Sequence, residues 1–114
     1  MAISEAYTNS ASISTTEYSL PNNSTSLTPI TASGVYQVFI DTAAMTVTEQ
    51  YQIRVLEKVT SGGTQREIYV AILTGAMAAT WVSPTLILMN GWDVTVKKLS
   101  GTDRTFYWSI RKVA

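Results

Sequence analysis

From residue 34 onward, apolar and polar side chains repeat with the period of two that defines a β-strand. In GVYQVFID (34–41), Val35, Gln37 and Phe39 fall on one face and Tyr36, Val38 and Ile40 on the other. Apolar residues on both faces predict a strand covered on both sides. YQIRVLEKV (51–59) sends Tyr51, Ile53, Val55 and Val59 one way and Gln52, Arg54 and Lys58 the other, which is the signature of a half-buried strand. Gly62 and Gly63 allow a tight connection, and TQREIYVAIL returns with Ile68, Val70 and Ile72 sharing a face, which predicts a long hairpin. GAMAATWV, bounded by Gly75 and Pro84, has room for a loop leading to an edge strand. After PTLILM and the turn Asn90-Gly91, the stretch GWDVTVKKLSGTDRTFYWSIRKV alternates, turns at Ser100-Gly-Thr-Asp103 and alternates again. Paired as a hairpin, its two arms place Trp92, Val94 and Val96 beside Phe106, Trp108 and Ile110 on one apolar surface, the expected heart of the core.

Residues 1–33 follow a different rule. Ser, Thr and Asn dominate them, Glu5 and Glu17 are their only charged side chains, and no apolar stripe recurs at helical spacing. Ile13, Tyr18 and Leu20 predict one strand ended by Pro21, and residues 27–34 read as a loop. The division expected is an N-terminal arm with an edge strand over 1–33 and a sandwich core over 34–114. In all, about eight strands with short turns and no helical pattern predict an all-β chain, an antiparallel β-sandwich or jelly-roll with a Ser/Thr-rich extended N-terminal arm.

Composition narrows the classes of function. The 114 residues fit a single domain, and charged residues make up only 14%, against roughly 25% in an average soluble protein. Eight basic and eight acidic side chains give net charge zero, which argues against direct binding of nucleic acid by counterion release. With no cysteine and no histidine, disulfides, thiolate metal sites and the usual general base are excluded. No run is apolar for the roughly 20 residues of a membrane helix, and MAISEAYTNSASIS lacks the charge and apolar pattern of a secretory signal, so no membrane partner is expected. The sequons at Asn22 and Asn23 read as loop polarity.

Candidate chemistry is sparse. Asp103 fits a turn cap, and Asp93 is expected on the face opposite Trp92, within reach of Lys97 or Arg111. Serines are plentiful, but nothing can activate one as a nucleophile and there is no G-x-S-x-G elbow. No catalytic residue, cofactor or metal is expected. Lys97, Lys98, Arg104, Arg111 and Lys112 make the C-terminal stretch locally basic, most simply as a solvated face. Tyr69 and Tyr107 fall on the face away from the core and are candidates for an interface, as are the larger apolar residues of the arm, Ile3, Tyr7 and Ile13.

TEYSLP, GVYQVFID, IRVLEKVTSGGTQR, GWDVT-x-K-K and GTDR-x(3)-WSIR together resemble a group of small proteins of tailed bacteriophages, over most of the chain. The resemblance implies a virion component, without any residue-level function. The low charge and polar arm also resemble the decoration or cement proteins that brace a capsid lattice, often as trimers. On that reading the partners are the phage major capsid protein and further copies of this chain, in a particle assembled in the host cytoplasm. The alternatives are a neck or tail connector or fibre-associated protein, and a carbohydrate-binding β-sandwich module that stacks sugars on exposed Tyr or Trp.

Overall fold

The computed structural model describes residues 3–113; residues 1 and 2 of the expected arm, and residue 114, lie outside the described residues. Nine strands run in order: β1 (Ile3–Ile13), β2 (Tyr18–Ser19), β3 (Gly34–Asp41), β4 (Gln50–Glu57), β5 (Arg66–Thr74), β6 (Trp81–Val82), β7 (Leu86–Leu88), β8 (Asp93–Ser100) and β9 (Arg104–Val113). One sheet has the order β1-β9-β3-β6, with β7 also on β3, and the other has the order β2-β8-β4-β5. Every pairing is antiparallel.

The pairs nest: β1 lies on β9, β2 on β8, β3 on β6 and β7, and β4 on β5. The chain is one long hairpin with its tip at the β4–β5 turn, rolled so that its two arms alternate between sheets, which is the jelly-roll form of the sandwich. β6 and β7 are two halves of one interrupted strand. Pro84 has no N–H to give to a ladder, and Ser83 takes up the break: its Oγ accepts the Val38 N–H at 2.9 Å and its own N–H donates to the Val38 carbonyl at 2.9 Å.

The inner faces of the two sheets meet in a core that includes Trp92, Tyr36, Tyr51, Phe106 and Ile110, each at most 1% exposed. Tyr36 and Trp92 pack with ring centroids 4.7 Å apart, as do Tyr51 and Phe106, and Tyr7 lies edge-on to Trp92 at 5.8 Å. Each such side chain contributes roughly 1.5–3 kcal/mol by leaving water. Two of the core rings share one backbone acceptor: Tyr36 Oη and Trp92 Nε1 both donate to the Ala32 carbonyl at 2.9 Å.

Several expectations are corrected by this topology. The stretch 91–113 is not a hairpin: β8 and β9 belong to different sheets, and Trp92, Val94 and Val96 face Phe106, Trp108 and Ile110 across the interior. The turn that carries the chain over needs Gly101, at φ +88°, because a Cβ there would lie 2.5 Å from the Thr48 carbonyl oxygen. Nor do Ile13, Tyr18 and Leu20 share a strand. The chain leaves the first sheet after Ile13 and enters the second at Tyr18.

In β5 the inward set is Tyr69, Ala71 and Leu73, opposite Val55, Ile53 and Tyr51. Val70 and Ile72 stand outward opposite Arg54 and Gln52, and Ile68 falls at a bulge; the three are 40%, 53% and 45% exposed. In β3 only Tyr36, Val38 and Ile40 enter the core, while Val35, Gln37 and Phe39 lie half-buried on the outer face. Val59 lies past the end of β4 and is exposed.

Candidate binding groove and polar clusters

The outer face of the first sheet is built by alternation on two central strands. β9 presents Tyr107, Ser109 and Arg111 outward, between the buried Phe106, Trp108 and Ile110, and β3 presents Gln37, Phe39 and Asp41. Their register sets Tyr107 opposite Asp41, Ser109 opposite Phe39 and Arg111 opposite Gln37, with Val82 of β6 beside Phe39. Phe39, Asp41, Val82, Tyr107, Ser109 and Arg111, with Thr80 and Trp108, line an open groove of about 500 Å³.

The floor is fixed by a polar chain. Ser109 Oγ donates to Glu5 Oε2 at 2.6 Å, and Arg111 Nε donates to Ser109 Oγ at 3.2 Å. The Arg111 guanidinium lies 3.8 Å over the centre of the Phe39 ring, a cation–π contact that holds it flat on the sheet. Asp41 accepts the Ala43 N–H on one oxygen at 3.0 Å, which fixes its carboxylate at the rim. Tyr107, 62% exposed, offers its ring to solvent.

The five interface candidates divide. Ile3, 71% exposed, and Tyr107 stand on the outer face. Ile13 is fully buried within the sandwich and has no surface to give a partner, which corrects its candidacy. Tyr7 and Tyr69 are half-buried and pack against the core, Tyr69 with its ring 6.5 Å from that of Trp81. Ile3, Tyr7 and Ile13 have the same parity in sequence, but a bulge between Glu5 and Tyr7 shifts the register on β9. Before it Ile3 and Glu5 pair with the outward Val113 and Arg111; after it Tyr7 and Ala11 pair with the inward Ile110 and Phe106.

Several charged groups elsewhere are bound into the fold. Arg54 makes a two-pronged contact to Glu17 with both bonds at 2.7 Å, reaches Glu67 at 2.7 Å, and Thr95 Oγ1 donates to the same Glu17. The pair ties the link between β1 and β2 onto the second sheet. Glu49, fully buried at its side chain, takes Arg104 Nε at 2.8 Å and hydroxyl donors from Thr46 and Thr48. The Arg104 hydrogen bond and then that from Thr48 hold its carboxyl well below the usual carboxylate range.

Asp93 is fully buried rather than on an outer face, and pairs with neither Lys97 nor Arg111. Its Oδ1 accepts from Ser19 Oγ at 2.7 Å and from the Val94 N–H at 2.8 Å, while its Oδ2 and the Trp108 indole N–H lack partners among the described residues. Burial pushes its carboxyl up to about 6 against these two hydrogen bonds. Asp103, expected as a turn cap, forms an ion pair with Lys98 at 2.6 Å. Among the described residues no three Asp or Glu side chains come together as metal ligands.

Sequence reasoning reached Tyr107 through alternation but missed Phe39, Asp41 and Arg111 as its neighbours. The missing signal was the pairing of β3 with β9, strands more than sixty residues apart.

No family model matches the chain, and no curated relative does. Among solved structures it is similar to a xylan-binding domain of carbohydrate-binding module family 22 and to a C-terminal family 22 carbohydrate-binding module of Clostridium thermocellum. In both cases identity is 17%, the TM-score is 0.41, and the match covers 86% of this chain and 64% of the other. The chain thus spans just under two thirds of the length of those modules.

Proposed function

We propose that the chain is a structural protein of a tailed-phage virion, a capsid decoration protein that braces the major capsid protein lattice and has no catalytic role. The motifs of the phage resemblance support this reading, and the described residues give those motifs structural work: Trp92 and Trp108 fill the core and Gly101 makes the crossing turn. Jelly-rolls serve both in viral capsids and in lectins, so the fold is compatible with the role without deciding it.

The observation that carries the reading is β5. This nine-residue strand closes one edge of its sheet with no neighbour beyond it among the described residues, and its outward Ile68, Val70 and Ile72 are exposed. A free strand edge offers backbone donors and acceptors to another chain, and exposed aliphatic side chains beside it gain by burial in a subunit contact. In a virion, that edge packs on the capsid lattice or on a second copy, with a trimer the favoured assembly.

Cryo-microscopy of the particle tests the proposal. Density for this chain on the capsid surface is the expected result; density confined to the neck or tail would replace decoration by a connector role. Val70→Lys places a charge in the proposed contact and should release the protein from heads while leaving its melting temperature nearly unchanged.

A further inference from the structure

We propose that the groove between Tyr107 and Arg111 is a binding site for a neutral saccharide chain. This goes beyond attachment to a capsid and stands on different residues, since the groove lies on the first sheet and β5 edges the second.

The chemistry of the groove selects the ligand class. A sugar ring presents an apolar C–H face and a rim of hydroxyls, so its binding site needs an exposed aromatic surface flanked by fixed hydrogen-bonding groups. Tyr107 supplies the surface, and Asp41, its cross-strand neighbour, supplies a carboxylate acceptor at the rim. Arg111 supplies the donors: its Nε is used by Ser109, and its terminal nitrogens have no hydrogen-bond or ion-pair partner among the described residues. Stacking on Phe39 and the Glu5–Ser109 chain hold these donors in place before any ligand arrives, which lowers the ordering cost of binding.

Other occupants fit less well. Both β9 and β3, which carry Tyr107, Arg111 and Asp41, are paired on each side, and the edge strand bordering the groove, β6, is only two residues long, too short to template an extended peptide. One guanidinium set against two carboxylates, Asp41 and Glu5, leaves no positive surplus for a polyanion such as nucleic acid or a sulfated glycan. From Tyr107 to Arg111 the strand runs about 13 Å, enough for more than one sugar ring.

The full chain should be applied to an array of neutral hexose, pentose and N-acetylhexosamine oligosaccharides, alongside sulfated and uronate-bearing ones. Retention by neutral members is expected, weakened about tenfold or more by Tyr107→Ala, weakened also by Arg111→Ala, and kept by Tyr107→Phe. Amide shifts on adding the retained oligosaccharide should centre on Phe39, Asp41 and Tyr107. Retention of no neutral sugar, retention of acidic glycans alone, or binding that Tyr107→Ala leaves intact would each overturn the proposal. Head attachment by the Tyr107→Ala protein should be unchanged, so failure of the groove and failure of the decoration role are separately readable.

Discussion

β1 and β9 lie side by side through ten registered pairs, yet their sequences have almost nothing in common. β9, RTFYWSIRKV, sends Phe106, Trp108 and Ile110 into the core and polar groups outward. β1, ISEAYTNSASI, offers the core only Tyr7, Ala11 and Ile13, and its outward positions are largely Ser and Thr. The difference shows two ways of being a strand. A central strand holds its place through side chains, whereas an edge strand can hold its place through the backbone ladder and a few anchors, with the neighbour supplying the apolar area. The rest of the first third works the same way: Glu17 grips Arg54, Ser19 bonds Asp93 and Leu20 enters the core. A row of short polar side chains along β1 also makes this free edge less adhesive than β5.

The severest way to break the comparison is to remove β1. Deleting residues 1–12 uncovers one edge of β9 and takes Tyr7 off Trp92, so cooperative folding should be lost, as seen by far-UV circular dichroism and thermal melting. A sharp, unshifted melt would mean that β1 adds nothing to the sandwich and is an arm in the full sense.

Side-chain anchoring in β9 is tested next. Trp108→Ala should cost about 3–5 kcal/mol in a denaturant titration, while Tyr107→Ala, one position along and exposed, should change stability by about 0.5 kcal/mol or less. Equal losses would show that the two faces of β9 are not distinguished by the core.

A smaller effect comes through the bond from Ser19 to Asp93. The carboxyl titrates near 3.8 when unfolded and near 6 when folded, so the folded state binds its proton more tightly. Its penalty is absent below the unfolded value, grows as pH rises between the two, and is fully present above about pH 6; at roughly 1.4 kcal/mol per pH unit it amounts to about 3 kcal/mol. Asp93→Asn keeps the acceptor for Ser19 and should flatten the stability profile over this window. Glu49 acts in the opposite sense and in a lower range: its depressed carboxyl gives stability that is lost as pH falls below the ordinary glutamate value, and Glu49→Gln should remove that acid-side loss. A smaller change than at Asp93 is expected at Glu17→Gln, a loss of about 1 kcal/mol or less, because the Arg54 contact is partly solvated; a loss comparable to that of Trp108→Ala would make this ion pair a main anchor of the first third.

Alternation in the sequence was enough to read the all-β class, the two-residue period of each main strand, the inward set of β4 and the burial of Trp92 and Trp108. It was enough because side chains on a strand must point to opposite sides whatever the strand pairs with. What alternation does not encode is the partner. GWDVTVKKLSGTDRTFYWSIRKV reads as a hairpin because a short turn joins two amphipathic strands, and only the packed sandwich decides that the turn crosses between sheets. In IYVAIL every side chain is apolar, so the inward face of β5 was settled by its register on β4 rather than by composition. One bulge sends Ile3 outward and Tyr7 inward from positions of equal parity. The groove is the strongest case: the exposure of Tyr107 follows from β9 alone, but Phe39, Asp41 and Arg111 become its neighbours only when β3 pairs with β9. A one-dimensional pattern fixes which way a side chain points; its neighbours on a sheet depend on long-range pairing, which tertiary packing selects.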